Sequence, residues 1–171
     1  MSGRMTSDAS QIAVPAPDLE ELFAPRQTGY LGADVALSIP LGDGRVLWVF
    51  GDTLLGKLED GRRHIDGMIR NSVAIQNPGE PSPENIEFSF PPSFEEAKDF
   101  FRLPQGEKER WFWPGTGFRI GNKVYILGYS VVSGEGECDA LSFQLERGWA
   151  LRIEDTTGRP EQWPITVMPA Q

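Results

Sequence analysis

The chain has 171 residues, of which 39% are hydrophobic and 11% aromatic, and this suits one globular domain with a real core. Twenty-five acidic residues against 16 basic ones leave a net charge of −9, and no basic run supplies the patch that phosphate binding needs, so nucleic acid is excluded as a partner. A single cysteine, Cys138, excludes an internal disulfide, and with His64 as the one histidine there is no metal-ligand pattern and no cofactor motif.

An anionic surface suits a neutral or cationic ligand. No apolar run approaches membrane-spanning length, and the N-terminal residues lack the continuous apolar segment of a secretory signal. As written, the chain reads as soluble, not membrane-bound and not addressed for export. An extracellular location stays open for longer relatives.

Residues 1–27 are small, polar and proline-containing, and read as a flexible tail in which "DLEELF" supplies one helical turn. "ADVALSIPL" then alternates, with Val35, Leu37, Ile39 and Leu41 on one face, as in a half-buried strand. "GDGR" is a hairpin turn over 42–44, and "VLWVFGD" returns as the second strand. A polar loop holding His64 follows, then a third strand in "RNSVAIQN" and a fourth in "ENIEFSF". "PSFEEAKDFF" predicts a helix over 94–101, with Ser93 as N-cap and Glu96 completing a capping box.

A second β unit begins with "WFWPGTGFRI", turns at Gly121-Asn122 and returns as "KVYILGYSVV". The acidic loop with Glu135, Glu137 and Asp139 leads to the strand "LSFQLERGWALRIED" and a closing stretch rich in proline and turn formers. "PLGDGRVLWVFGDT" can be laid over "FRIGNKVYILGYSV", an offset of 78 residues that an insertion over 77–109 would explain.

The stretch "GYLGADVALSIPLGDGRVLWVFGDTLLG", with "MIRNSVAIQ", "WFWPGTGFRIGNKVYILGY" and "PEQW", resembles the DUF4185 family of five-bladed β-propellers. These are similar to furanosidase-type glycoside hydrolases, with arabinan-cleaving relatives. The resemblance covers residues 28–163. It implies an all-β fold, a partial five-bladed β-propeller of about two antiparallel blades with one short helix in an inserted loop. In that division a glycosidase-like domain spans 28–171, with a first unit at 28–90, the insertion at 77–109 and a second unit at 110–163. It also implies a carbohydrate ligand and a candidate glycoside hydrolase of endo-arabinanase type. An incomplete ring would lack further subsites and activity, and would favour self-association or missing blades. The alternative is a non-catalytic carbohydrate-binding or degenerate structural fragment.

Glycoside hydrolysis needs two carboxylates, about 5–5.5 Å apart for retention and about 6.5–9.5 Å for inversion. Asp34 and Asp52 are the candidate pair. A hairpin turning about Asp43 sets them directly opposite; a strict Asp43-Gly44 turn instead pairs Asp34 with Thr53 and sends Asp52 to the other face. Arg70 could steady a carboxylate and Asn71 bind a sugar hydroxyl, or the two could be a strand-edge pair. Among Trp111, Phe112 and Trp113, Trp113 is the candidate for stacking on a sugar, with core packing as the alternative.

Overall fold

Two glycines in the left-handed region, Gly42 (φ 87°) and Gly44 (φ 91°), close a three-residue turn around Asp43, a conformation that glycine adopts without steric cost. Asp43 accepts the Arg45 backbone N–H at 3.0 Å and pairs with the Arg45 guanidinium at 2.8 Å. That turn fixes the register of everything before it. In the computed structural model, which describes residues 16–90, 94–106, 109–134 and 142–170, β2 (Leu37–Pro40) pairs with β3 (Val46–Phe50), with Leu37 opposite Val49 and Pro40 opposite Val46. The same register reappears where β1 (Thr28–Ala33) meets β4 (Thr53–Glu59), with Ala33 opposite Thr53.

The pattern repeats one strand further along. Phe50 lies opposite Ser72 between β3 and β6 (Ser72–Gln76), and Thr53 opposite Ile69 between β4 and β5 (Arg62–Ile69). Three long chain segments therefore run side by side through two sheets, each interrupted once at the same level. The first sheet has the order β1-β4-β5. The second has the order β2-β3-β6-β7, where β7 is Ile86–Phe88. The third is built from β8 (Arg110–Ile120), β9 (Lys123–Ser133), β10 (Phe143–Ile153) and β11 (Ile165–Pro169), in the order β11-β10-β9-β8. All pairings among the described residues are antiparallel.

The core lies between the second and third sheets. Ile39, Leu47, Val49 and Val73 pack with Phe112, Val124, Ile126 and Leu151, all essentially without exposed surface. Each such side chain contributes about 1.5–3 kcal/mol of transfer free energy. Gly117 permits the approach: a Cβ there would sit 2.3 Å from Ile39 Cδ1. The other face of the second sheet packs Phe50, Ala74 and Ile86 under Leu22 of the six-residue helix α1 (Pro17–Leu22). Burial on both faces explains why β3 is apolar almost throughout.

Several expectations need correction. The region around His64 is not a loop: β4 and β5 form a hairpin about Asp60 (φ 50°) and Gly61 (φ 72°), the two-residue turn with positive φ at both positions that Asp-Gly favours. His64 is an exposed strand residue, 3.8 Å from Glu59. Residues 94–101 form only one 3-10 turn, Phe94–Glu96. The Phe100 and Phe101 N–H groups are held by the Asn71 carbonyl and side-chain oxygen, which pulls that chain out of helical geometry. Ser93, Glu135, Glu137, Cys138 and Asp139 lie outside the described residues. The closing stretch contributes the strand β11 as well as turns. Val35 and Asp34 fall in the interruption between β1 and β2 rather than in a strand. The all-β class holds, but the three sheets of the described residues are open and do not close into a ring.

Candidate functional site

The interruptions of the three long segments fall at 34–36, 51–52 and 70–71. Carrying the flanking registers through this gap sets Asp34 opposite Asp52, and Asp52 opposite Arg70. The odd-numbered turn at 42–44 is what makes this happen. The Asp34 N–H donates to the Asp52 carbonyl and the Gly51 N–H donates to the Asp34 carbonyl, both at 3.0 Å. Val35 adopts φ 51°, a left-handed conformation that is costly for a β-branched residue. Gly51 has no room for a side chain, since a Cβ would lie 2.3 Å from Asp34 Oδ1.

Beneath the row, two buried hydroxyls tie the segments together. Thr53 Oγ1 donates to the Gly51 carbonyl at 2.9 Å and lies 2.8 Å from Ser72 Oγ. Asn71 is fully buried beside them. Its amide donates to the carbonyls of Phe101 (3.2 Å) and Phe112 (3.1 Å), and its oxygen accepts the Phe101 N–H at 2.7 Å. It therefore does not face solvent as a sugar-binding group would. It docks the 94–103 segment and β8 onto the bend.

Asp34 and Asp52 line one hollow of about 540 Å³, with Tyr30, Leu54, Arg63 and Met68 among its other walls. Arg70 Nη1 lies 3.5 Å from Asp52 Oδ2, and its guanidinium carbon lies 4.4 Å from the centre of the Trp111 ring. The Arg70 N–H donates to Asp99 Oδ1 at 2.7 Å. Burial pushes the Asp52 carboxyl above the usual carboxylate value; Arg70 pulls it part of the way back, and the charge of Asp34 pushes it up again. Burial also raises Asp99, against the hydrogen bond from Arg70.

The bend thus brings Asp34, Asp52 and Arg70 together. Trp113 is elsewhere, edge-on to Phe143 at 5.3 Å between ring centres, on a face of the third sheet where Leu127, Tyr129 and Leu145 are exposed. The aromatic at the site is Trp111, and Asp99 is a further carboxylate that sequence reading missed. Trp111 and Trp113 share a strand face, so alternation alone does not choose between them. Among the described residues no group of three or more His, Cys, Asp and Glu side chains is arranged to hold a metal ion.

Fold and site together define an all-β protein with a paired-carboxylate and arginine row at a bend shared by two sheets. The chain belongs to the family described as Domain of unknown function (DUF5005), whose model matches residues 18–147. That is the family shown, rather than the DUF4185 that the motifs resemble. No curated protein matches the chain. A crystal structure of a protein from Bacteroides ovatus, described as a "putative hydrolase", is similar in fold, with a TM-score of 0.67 and 19% identity. The match covers 84% of this chain and 39% of that one, so this chain spans well under half of its length.

Proposed function

We propose that the chain is a glycoside hydrolase-like protein acting through Asp34 and Asp52, with a furanosidic glycan such as arabinan as the substrate class suggested by its motifs. The observation that carries this reading is the row of Asp34, Asp52 and Arg70 along one bend. Backbone hydrogen bonds hold Asp34 against Gly51 and Asp52, and both aspartates line one hollow, the paired placement of carboxylates that glycoside hydrolysis uses. Asp52, raised by burial, protonates the glycosidic oxygen as the C–O bond breaks. Asp34 attacks the anomeric carbon from the other side. Water then displaces Asp34 and returns its proton to Asp52. Arg70 orients Asp52 through their ion pair. The fold likeness to a protein described as a hydrolase supports the reaction class.

In the same reading the second and third sheets are neighbouring blades of a five-bladed propeller. The exposed Leu127, Tyr129 and Leu145 face is then where a further blade or a second copy packs. A second reading, carbohydrate binding without catalysis, is favoured by the Trp113–Phe143 pair on that face. Incubating the chain with arabinan and measuring new reducing ends separates the two. Release that disappears in Asp34→Asn and Asp52→Asn supports hydrolysis; retention of arabinan with no release at all supports binding alone.

A further inference from the structure

Arg70 is held at three points. Its backbone N–H donates to Asp99 Oδ1 at 2.7 Å, which fixes where the side chain starts. Its Nη1 lies 3.5 Å from Asp52 Oδ2, and its guanidinium carbon lies 4.4 Å from the centre of the Trp111 ring. The ion pair alone is a weak tether: its two side chains are 39% and 37% exposed, and such pairs contribute little once side-chain entropy is counted. A guanidinium offers its face to a ring and its N–H edge to a carboxylate at the same time. The placement of the ring is built into the fold. Asn71, next to Arg70, donates to the carbonyl of Phe112, next to Trp111, at 3.1 Å. Trp111 also pairs across the sheet with the fully buried Val131. One buried hydrogen bond therefore sets residues 70–71 against residues 111–112.

We propose that Trp111 is a positioning residue, whose ring holds the Arg70 guanidinium with its N–H edge turned to Asp52. Arg70 has other charges to choose among. Lys98, Asp99, Arg102, Glu109 and Arg110 line the hollow that it shares with Trp111, and Asp34 and Arg63 line the hollow of the paired aspartates. Without the ring, the side chain is free to swing toward Asp99 or Glu109. Burial raises the Asp52 carboxyl and Arg70 draws it back, so an Arg70 that swings away leaves Asp52 higher still. The catalytic consequence rests on the hydrolase reading above. Without touching the reacting atoms, Trp111 sets the pH range over which Asp52 keeps the proton that it donates.

Carbon-13 titration of the Asp52 side-chain carboxyl in the full chain, assigned with Asp52→Asn, tests this without any substrate. Trp111→Leu raises the Asp52 midpoint to the value found in Arg70→Met, and Trp111→Phe, which keeps a ring face, stays near wild type. In an Arg70→Met background Trp111→Leu moves the midpoint no further, as for two groups acting through one contact. In the wild-type chain the ring current of Trp111 shifts the Arg70 side-chain protons upfield, a readout that needs no variant to fold. Unshifted Arg70 protons, an unmoved midpoint in Trp111→Leu, or the same movement with and without Arg70 overturns the proposal. The hydrolase reading is tested separately with arabinan. Where arabinan is cleaved, the alkaline limb of kcat moves to higher pH in Trp111→Leu, as expected when Asp52 is the acid. A midpoint that moves as expected in a chain that cleaves no arabinan leaves the role of Trp111 standing and overturns the hydrolase reading.

Discussion

Asp34 gives its backbone N–H to the Asp52 carbonyl and takes the N–H of Gly51, each at 3.0 Å, so one residue of the first long segment faces two of the second. The register is the same on both sides of this point, Ala33 opposite Thr53 and Leu37 opposite Val49, so the two segments are interrupted together. Here the bend turns two carboxylates into the same hollow. The apolar β3 runs into Gly-Asp-Thr because the strand is interrupted there, between Phe50 and Thr53.

Removal of either carboxylate is the first check. Asp52→Asn lowers glycan hydrolysis by about a hundredfold or more, the scale expected for losing a general acid. Asp34→Asn does the same, and the double variant loses little more, as for groups acting as a unit. Initial rates on arabinan oligosaccharides measure all three.

Gly51→Ala is a subtler probe. Its new methyl group would sit 2.3 Å from Asp34 Oδ1, so the carboxylate must move. A displacement near 1 Å costs about a hundredfold in rate. The kcat value falls while far-UV circular dichroism stays as in wild type; full activity would show that the position of Asp34 is irrelevant.

Val35 holds φ 51°, which costs roughly 1–2 kcal/mol for a residue with a Cβ. Asparagine tolerates that region better. Val35→Asn therefore raises unfolding stability by about 1 kcal/mol once lost packing is subtracted. A urea midpoint that falls instead would mean that the packing of Val35 outweighs its strain.

Thr53→Val keeps the shape and deletes the hydroxyl that holds the Gly51 carbonyl and Ser72 Oγ. Both partners stay buried, so the variant loses about 1–3 kcal/mol. The loss appears as a lower urea midpoint with an unchanged m-value.

The raised carboxyls give a signed pH dependence. Asp52 and Asp99 sit above their ordinary 3.8 in the fold, so the folded state holds their protons more tightly than the unfolded one. Their contribution to stability is fully present below 3.8 and is lost as pH rises through the raised values. Asp52→Asn removes its share of that loss, so its stability relative to wild type is higher at pH 7 than at pH 4. Urea titrations of both proteins at the two pH values test the sign.

Much of this was legible because register follows from turns. The paired glycines around Asp43 were visible, and the opposition of Asp34 and Asp52 follows from where that turn centres. The Asp60-Gly61 hairpin was equally written in the chain, but β5 is exposed along nearly its whole length and shows no hydrophobic alternation to mark a strand. The 94–101 segment carried helical signals that lost to a tertiary contact, the capture of Phe100 and Phe101 by Asn71. Asn71 itself looked like a ligand-facing amide. Only three-dimensional packing shows it spent on backbone groups. Trp111 and Trp113 differ by which one meets Arg70, and that depends on the placement of another strand.

The bend also acts as a crease. When a sheet flexes along a fold line, points on the line keep their mutual distances while the panels on either side swing. Asp34, Asp52 and Arg70 all lie on that line. Leu54, Arg63 and Met68, on the β4–β5 hairpin, form a panel in the wall of the hollow; were that panel to swing about the line, the cavity would change shape. The backbone bonds between Asp34 and the 51–52 pair lie on the line itself, so such a swing would leave the two aspartates in register.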